Sequence, residues 1–341
     1  MTEDKTRGAT IFDVARLAGV SHQTVSRVLN NLPNVRPATR QRVEQAIAQL
    51  RYVPSQAARA LVTRRSRMLG LIVMGAPGQA PASTALHFNE AARDARYAVI
   101  QASMARADPA EVRAAAELLV QQSVEAVVVI AQQRAALDAL AGLELGVPLV
   151  AIASEDRGIA ARVGSDQFGG ARAAVEHLIA LGHTRVRHVA GPPDSMDAAE
   201  RLRGWFQTIA DRGLPASEPI IGDWSPASGH AAAAVIAADP QASAVFVAND
   251  LMALGLMHGL RERGIAVPGD VSVVGFDDLA ETAYFDPPLT TVRQDFAVLG
   301  RNALTTALAV LGDEEAVVPT PAPTVLVERE STAARVGSPV E

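Results

Sequence analysis

A short run of hydrogen-bonding side chains near residue 25 is the clearest chemical pattern in the sequence. On a helix that Ser21 would cap, His22, Gln23, Ser26 and Arg27 share one face, and none of them is acidic. Glutamine pairs with the edge of adenine, and arginine bridges O6 and N7 of guanine. As the second helix of the helix-turn-helix described next, this helix is predicted to enter the major groove of DNA, N-terminal residues first. The alternative is that His22 and Gln23 contact phosphates only.

Three predicted helices position this face. Thr10 would cap the first helix, Gly19 would end it with a turn, and Pro37 would open the third. Apolar residues spaced three and four apart form a stripe on each helix: Ile11, Val14, Ala15, Ala18, Val25, Val28, Leu29, Val43, Ala46, Ile47 and Leu50. Two short helices joined by a glycine turn, the second polar and basic on its outer side, are typical of a helix-turn-helix.

Composition and charge narrow the class of protein. The chain has 341 residues and no cysteine, which excludes disulfides, thiolate metal sites and cysteine nucleophiles. Residues 1–67 hold twelve basic and four acidic residues, a net charge of +8, and the remaining nineteen basic and thirty-three acidic residues give −14. Such an asymmetry favours a polyanion-binding N-terminal segment. No apolar run approaches the ~18 residues of a membrane span and no secretory signal is recognisable, so a cytoplasmic protein is expected.

From Leu69 onward, short aliphatic segments alternate with amphipathic ones. The predicted strands are 69–74, 98–101, 126–130, 149–152, 186–190, 244–247 and 271–275. The predicted helices are 85–96, 109–122, 166–181, 198–212, 228–238, 249–263 and 295–311. This alternation predicts two parallel sheets with right-handed crossovers. Ligands of such folds bind beyond the carboxyl ends of the strands.

The N-terminal region resembles the lactose-repressor (LacI) family of bacterial transcription regulators. The matching residues are Thr10-Ile11-Phe12-Asp13-Val14-Ala15, Ala18-Gly19-Val20-Ser21, Thr24-Val25-Ser26-Arg27-Val28-Leu29-Asn30, and Thr39-Arg40 through Leu50. The resemblance continues more diffusely to about residue 330. It implies an all-α helix-turn-helix head (1–54), a hinge helix and linker (55–66), an α/β two-lobed periplasmic-binding-protein-like body (67–333) and a short tail (334–341). Lobe one would comprise 67–164 and 295–323, and lobe two 165–292 and 324–333.

The resemblance also implies how the head and hinge contact DNA. Base contacts are expected from His22, Gln23 and Arg27. Backbone contacts are expected from Ser21, Thr24, Ser26, Asn30 and Thr39. The minor-groove residues of the hinge would be Ala58, Arg59 and Leu61. The hinge is too short for a stable isolated helix, so it is expected to fold only against DNA and its dimer mate, with Leu61 inserted between base steps. A plain linker is the alternative.

In the body, the resemblance implies a small-molecule effector held between the lobes. The candidate contacts are Ala80, Pro81, Arg201, Trp224, Asn249, Asp277, Gln294 and Phe296. Planar polar groups beside an aromatic face suit a sugar, and a galactoside is the leading candidate. Purely structural roles are the alternatives: Asn249 as a helix cap, Asp278 in a salt bridge, and Trp224 in the core, where Trp205 is also expected.

One position departs from the family pattern. One member of the family has an aspartate that binds a sugar hydroxyl after the strand that ends here at Ile152, and ungapped alignment places Ala153 at that position. Ser154, Glu155 and Asp156 follow. Either a neighbouring residue substitutes for the aspartate, or the ligand differs.

These observations predict a ligand-responsive transcriptional repressor. It would bind a pseudo-palindromic operator in double-stranded DNA as a homodimer, and a small sugar would release it. A purine, nucleoside or other co-repressor is the alternative ligand, and a sugar-processing enzyme fused to a DNA-binding head is the alternative class. No catalytic sequence motif is present, and His177 and His183 lack metal-binding spacing, so no enzyme activity, cofactor, metal or membrane partner is expected. The tail carries no heptads, which favours a dimer over a tetramer.

Overall fold

The computed structural model of the chain describes residues 9–29, 32–52, 65–74, 79–104, 108–155, 158–312 and 320–335. The chain divides into two compact units, Met1–Ser66 and Arg67–Glu341. No helix in the described ranges is long and apolar enough to cross a membrane.

The first unit contains three helices, α1 (Ile11–Ala18), α2 (His22–Leu29) and α3 (Pro37–Gln49). Their predicted apolar stripes meet in one small core around the fully buried Val14, Val25 and Val43. Thr10 caps α1 through a capping box with Asp13, whose carboxylate accepts from the Thr10 N–H at 3.0 Å. The predicted three-helix arrangement is therefore confirmed.

The second unit alternates strands and helices. In chain order its elements are β1 (Met68–Met74), α4 (Gln79–Asp94), β2 (Ala98–Met104), α5 (Pro109–Gln121), β3 (Ala126–Ile130), α6 (Arg134–Ala141), β4 (Leu149–Ile152), β5 (Ala161–Val163), α7 (Gln167–Ala180), β6 (Val186–Ala190), α8 (Met196–Asp211), β7 (Ile220–Ile221), α9 (Pro226–Ala237), β8 (Ala244–Val247), α10 (Asp250–Glu262), β9 (Ser272–Asp277), a 3-10 turn (Ala280–Tyr284), β10 (Thr290–Gln294), α11 (Phe296–Leu311) and β11 (Thr324–Val327).

These strands form two sheets. The first has the order β2-β1-β3-β4-β5, and the second has the order β11-β10-β9-β8-β6-β7. All pairs are parallel except β10 with β11, which is antiparallel. The prediction of parallel sheets is therefore wrong at this one edge, where the chain returns to the second sheet after α11.

Each sheet is covered by helices on both faces. The first sheet packs against α5 and α6 on one side and against α4 and α11 on the other. The second sheet packs against α9 and α10 on one side and against α7 and α8 on the other. Because α11 covers the first sheet while β10 and β11 belong to the second, the chain passes three times between the two halves, as the predicted lobes require. The exact domain boundaries stay a prediction.

Several short elements were not predicted. The helix α6 and the strands β5, β10 and β11 have no counterpart among the predicted segments. The strand predicted over 271–275 extends to Asp277, and the one predicted over 98–101 extends to Met104. As a consequence, Phe276 and Asp277 are the last residues of a strand rather than the residues after it.

Candidate functional site

A cavity of about 310 Å³ lies beyond the carboxyl ends of strands from both sheets. Six of the eight predicted effector contacts line it: Ala80, Pro81, Arg201, Trp224, Asn249 and Asp277. The other two, Gln294 and Phe296, line a smaller cavity of about 40 Å³, which shares Ala80, Pro81 and Gln132 with the larger one. The structure thus brings all eight residues together, from segments as far apart in sequence as Ala80 and Phe296.

Four polar side chains form a closed ring at the base of this site. Arg201 donates to Gln167 Oε1 at 2.8 Å and to Asp277 Oδ1 at 3.4 Å. Gln294 donates to the same Asp277 oxygen at 2.7 Å and accepts from Gln167 at 2.8 Å. Arg201 also donates to the carbonyl oxygen of Ala248. All four ring members are buried, so each depends on its neighbours for the hydrogen bonds that water would otherwise supply.

The geometry of Asp277 leaves one carboxylate oxygen for a ligand. Both hydrogen bonds that other described residues donate to Asp277 go to Oδ1, and the residue lines the cavity. The pKa of Asp277 is raised overall, chiefly by burial and further by the Asp197 carboxylate. The charge of Arg201 and the hydrogen bond from Gln294 act in the opposite direction. Asp277 also has a positive φ of 110°, a strained conformation for this residue. A strained, buried and charged group of this kind is typical of a functional site.

A second buried carboxylate supports the loop after β9. Asp250, the first residue of α10, accepts from the Thr291 hydroxyl at 2.6 Å and from the Leu279 N–H at 2.9 Å. Burial raises the pKa of Asp250 well above its usual value, and the negative charge of Asp277 raises it further. Asp250 therefore fixes the backbone that carries Asp277 and Leu279 to the cavity.

Trp224 forms an aromatic side of the cavity. Its backbone has a positive φ of 74°, and its ring lies so close to Gly191 that a Cβ on that residue would be 2.3 Å from the indole. Asn249 donates from Nδ2 to the Trp224 carbonyl at 3.2 Å and accepts from the Met252 N–H at 2.9 Å. Asn249 therefore caps α10 and also positions Trp224. Arg201 stacks over the same indole, with 5.5 Å from its guanidinium carbon to the ring centroid.

The residues near Ala153 include a carboxylate from another element. Ala153 lines the smaller cavity together with Ser154 and Asp197. The Ser154 hydroxyl donates to Asp197 Oδ1, which links the end of the first sheet to the first turn of α8. The sequence predicts no role for Asp197 beside Ala153, because 44 positions separate the two along the chain.

The segment after β3 is bound to the start of α8. Gln133 and Ser195 pair as an isolated antiparallel bridge, and the Met196 N–H donates to the Gln132 carbonyl at 2.8 Å. Arg134 donates to the Pro193 carbonyl at 3.0 Å. These contacts join the two halves of the unit along the edge of the cavity. Sequence reasoning missed them because neither segment has a distinctive pattern by itself.

Asp278 and Trp205 have the structural contacts that the sequence predicted for them. Asp278 forms ion pairs with Arg293 at 2.5 Å and with Arg329 at 2.6 Å. Burial opposes ionisation of Asp278, but the hydrogen bonds from these two arginines lower its pKa overall. Trp205 is buried in the core and donates from Nε1 to the Val186 carbonyl at 3.1 Å.

In the first unit, α2 presents the predicted DNA-contacting face. His22, Gln23 and Arg27 are exposed. Ser21 caps the helix, because its hydroxyl accepts from the Thr24 N–H at 3.2 Å. The Arg27 guanidinium donates to the backbone carbonyl of Pro33 at 3.0 Å.

The other predicted DNA contacts fall into two groups. Ser26 lies half-buried on α2, and Thr39 lies half-buried in the first turn of α3. Asn30, Ala58, Arg59 and Leu61 lie outside the described residues, as does Asp156.

Comparison with known proteins assigns the chain to a class. Residues 10–55 match the family of bacterial regulatory proteins known as the lacI family, and residues 175–332 match the periplasmic binding protein-like domain. The chain belongs to the lacI family, which confirms the resemblance inferred from the motifs of α1 and α2 and the predicted class of fold.

Individual relatives cover almost the whole chain. The sequence is 32% identical over 330 residues to the lactose operon repressor of Escherichia coli (strain K12), covering 95% of this chain and 91% of that protein. A crystal structure of the Lac repressor dimer bound to operator and the anti-inducer ONPF covers 96% of this chain and 100% of that one, with a TM-score of 0.87 and 32% identity. The complex of the transcriptional regulator CelR with cellobiose covers 95% of this chain and 99% of that one, with a TM-score of 0.71 and 32% identity.

Proposed function

We propose that the protein is a transcriptional repressor that binds a pseudo-palindromic operator as a homodimer and that a small neutral sugar releases it. The observation that carries the effector half of this proposal is the buried ring of Arg201, Gln167, Gln294 and Asp277 beside the Trp224 indole. Relatives with the same architecture include a repressor dimer on its operator and a regulator bound to cellobiose.

For DNA, the proposal assigns sequence readout to α2. Gln23 and Arg27 would contact base edges, and His22 would contribute either to a base or to a phosphate. Ser21, Thr24, Ser26, Asn30 and Thr39 would hold the phosphate backbone. In the hinge, Ala58, Arg59 and Leu61 would fold against the minor groove when two chains meet on one operator.

For the effector, the charges of the cavity favour a neutral polyhydroxyl compound. Its lining includes three carboxylates, Asp194, Asp223 and Asp277, and one guanidinium, that of Arg201, which already pairs with Asp277. An anionic ligand such as a sugar phosphate would meet net negative charge. Vicinal hydroxyls, in contrast, would pair with the free oxygen of Asp277, and a pyranose face would stack on Trp224.

We further propose that Asp197 supplies the carboxylate that Ala153 lacks. Asp197 reaches the smaller cavity from α8 and already accepts the Ser154 hydroxyl. A sugar hydroxyl entering between them would take the place of one partner in that hydrogen bond. A galactoside stays the first candidate, and other neutral glycosides follow it.

The decisive experiment combines ligand screening with operator binding. Thermal unfolding of the full chain is measured with galactosides, glucosides, cellobiose, sugar phosphates and purine nucleosides. We expect one neutral sugar to raise the midpoint in the wild type, and Trp224→Ala to abolish the shift. Phe206→Ala, which removes an exposed aromatic from α8, is the control that should leave it intact.

The same ligand is then added to the protein bound to a palindromic DNA fragment, with fluorescence anisotropy as the readout. Release of the palindrome, with little change on scrambled DNA, supports the proposal. A purine nucleoside that tightens DNA binding would establish the co-repressor alternative, and chemical conversion of a sugar would establish the enzyme alternative.

A further inference from the structure

Away from the cavity, α9 and α10 bring three metal-ligating side chains together. His230 lies on α9, and His258 and Glu262 lie one turn apart on α10. Their ligand atoms all fall within 4.8 Å of one another. The spacing of four residues between His258 and Glu262 places both side chains on the same face of α10. The spacing of the histidines in the sequence does not indicate this cluster, because its third member, His230, lies on another helix.

The three side chains are arranged around the Glu262 carboxylate. His230 Nε2 lies 2.7 Å from Oε2, and His258 Nε2 lies 3.2 Å from Oε1. The imidazole rings are tilted at 36°, with centroids 5.7 Å apart. Small side-chain rotations would therefore bring two imidazole nitrogens and one carboxylate oxygen around a single transition-metal ion, whose bonds to such ligands are about 2.0–2.2 Å long.

The backbone that carries these ligands lies in two closely packed helices. A Cβ on Gly255 would lie 1.8 Å from the Pro226 carbonyl oxygen, and a Cβ on Gly229 would lie 2.0 Å from that of Met252. Gly259, between His258 and Glu262, lies against the backbone of His230, whose carbonyl oxygen would be 3.0 Å from its Cβ. Glycines at these positions let the helices approach closely, so the three ligands are placed by packed backbone rather than by loops.

We propose that His230, His258 and Glu262 bind one divalent transition-metal ion of the zinc type and thereby clamp α9 to α10. Two imidazoles and one carboxylate form a donor set that zinc accepts, with a position left for water, whereas magnesium and calcium prefer oxygen ligands throughout. The exposed position of the cluster gives an ion direct access from solvent.

Protons and neighbouring cations both act against a metal ion at this cluster. Metal and protons compete for the imidazole nitrogens, so affinity decreases as the pH falls. The neighbouring cations are Arg261 and Arg263, both on the α10 side of the cluster, and their positive charges weaken the binding of a metal ion by repulsion.

Arg261 gives the proposal a distinctive signature. Its guanidinium lies 3.1 Å from His258 Nδ1. If His258 binds the metal through Nε2, its Nδ1 carries the proton and no longer accepts a hydrogen bond from Arg261. Arg261 must then turn away, so replacing it removes both a competing interaction and a repelling charge. Arg261→Ala is expected to strengthen metal binding.

The metal would act on helices that also shape the cavity. Trp224 precedes α9, and Asn249 caps α10. An ion that links the two helices therefore stabilises the segment on which these cavity residues are held. The metal site itself does not depend on the identity of the effector or on DNA binding.

The test uses tag-free, full-length protein stripped of metal with a chelator and titrated with zinc chloride by calorimetry. We expect saturable binding of one ion per chain. His258→Gln and Glu262→Gln should each weaken it by about tenfold or more, and Arg261→Ala should tighten it. His87→Gln is the matched control, because His87 pairs with Glu90 at 2.9 Å but has no third ligand in the described part of the chain, so its loss should change affinity by less than about twofold.

Two further readouts guard against misfolded variants. Cobalt(II) should give visible absorption bands of a nitrogen- and oxygen-ligated ion in the wild type and not in His258→Gln. Zinc should raise the unfolding midpoint of the wild type and of His87→Gln but not that of Glu262→Gln. Absence of saturable zinc binding, or equal affinity in wild type and His258→Gln, would overturn the proposal.

Discussion

The two surfaces assigned to recognition differ in how far they are organised before a ligand arrives. On α2, the side chains of His22, Gln23 and Arg27 are exposed, and the Arg27 guanidinium lies on a backbone carbonyl of its own unit. In the body, the ring through Arg201 and Asp277 is buried, and each of its four members is hydrogen-bonded to the next. Folding therefore orders the cavity, whereas DNA must order the α2 face.

This difference teaches where each kind of specificity originates. Long exposed side chains lose rotamer freedom when they bind DNA. This loss of conformational entropy offsets part of the free energy gained from the contacts with the bases. The cavity groups have already lost that freedom, and a ligand that fits them meets fixed donors and acceptors. Mutations should accordingly affect protein stability in the body and operator binding in the head.

The largest expected effect is loss of the buried ring. Arg201→Met should lower the free energy of unfolding of the body by roughly 3–5 kcal/mol, because it leaves the buried Asp277 without its cation. The body carries both tryptophans of the chain, so urea unfolding followed by tryptophan fluorescence reports it selectively. Arg203→Met is the matched control on the same helix. Its partner Glu200 forms a surface ion pair with it, so the change should be about 1 kcal/mol or less.

A loss for Arg201→Met no greater than that for Arg203→Met would show that the ring is not preorganised in the manner described. In that case the contrast between the cavity and the α2 face would disappear.

The next effect belongs to the DNA-binding face. Arg27→Ala should weaken binding to the operator by roughly 1–3 kcal/mol and relax the preference at one base position, with no change in the stability of the body. Arg42→Ala removes the same charge from an exposed position on α3 and should weaken operator and scrambled DNA about equally. Fluorescence anisotropy on both fragments at several salt concentrations separates the two outcomes. Equal loss on both fragments for Arg27→Ala would contradict base readout.

A third test uses a histidine buried in the body, in contrast to the exposed His22 of the head. Burial lowers the pKa of His188 to about 4, and the ring stacks between Trp205 and Phe246. Because the unfolded chain binds this proton more readily, His188 reduces stability progressively as the pH falls from 6.5 towards 4. The raised pKa values of Asp250 and Asp277 act in the opposite direction, since the folded chain binds their protons first.

A variant isolates the contribution of His188. The difference in unfolding free energy between wild type and His188→Phe should shift in favour of the variant by about 2 kcal/mol between pH 7.5 and pH 5. Urea unfolding at several pH values measures it. A difference that stays constant with pH would mean that His188 is not held in its neutral form by burial.

How much of the molecule the sequence predicts depends on the range of the interaction. Capping residues and apolar spacing are local, so the three helices of the head and most elements of the body were predicted. Arg201 and Asp277 were singled out by the family resemblance and by their place near strand ends. Gln167, which completes their ring, and Asp197, which lies near Ala153, were missed, because their partners are tens of residues away and neither has a distinctive local pattern.

The same limit explains the missed elements and the histidine cluster. The edge strand β11 is stabilised by pairing with β10, and the approach of His230 to Glu262 depends on packing between α9 and α10. Neither the pairing of β11 nor the approach of His230 to Glu262 can be recognised from the spacing of apolar residues. That spacing indicates which face of an element is buried, but it does not indicate which other element packs against that face. Prediction was therefore most reliable in the head, where the chain contacts near neighbours.

The smallest effect tests whether the head depends on local interactions more than the body does. Thr10→Ala removes the capping box of α1 and should destabilise it by about 1 kcal/mol, which raises amide exchange in the head about fivefold. Thr10→Ser keeps the hydroxyl and should restore protection. Asp108→Ala removes the cap of α5, where the carboxylate accepts from two N–H groups, but the large core of the body should confine the loss to the first turn. Hydrogen–deuterium exchange of the full chain resolves both regions at once. If Asp108→Ala raised amide exchange throughout the body, as Thr10→Ala is expected to do throughout the head, the two units would not differ in the way that their cores indicate.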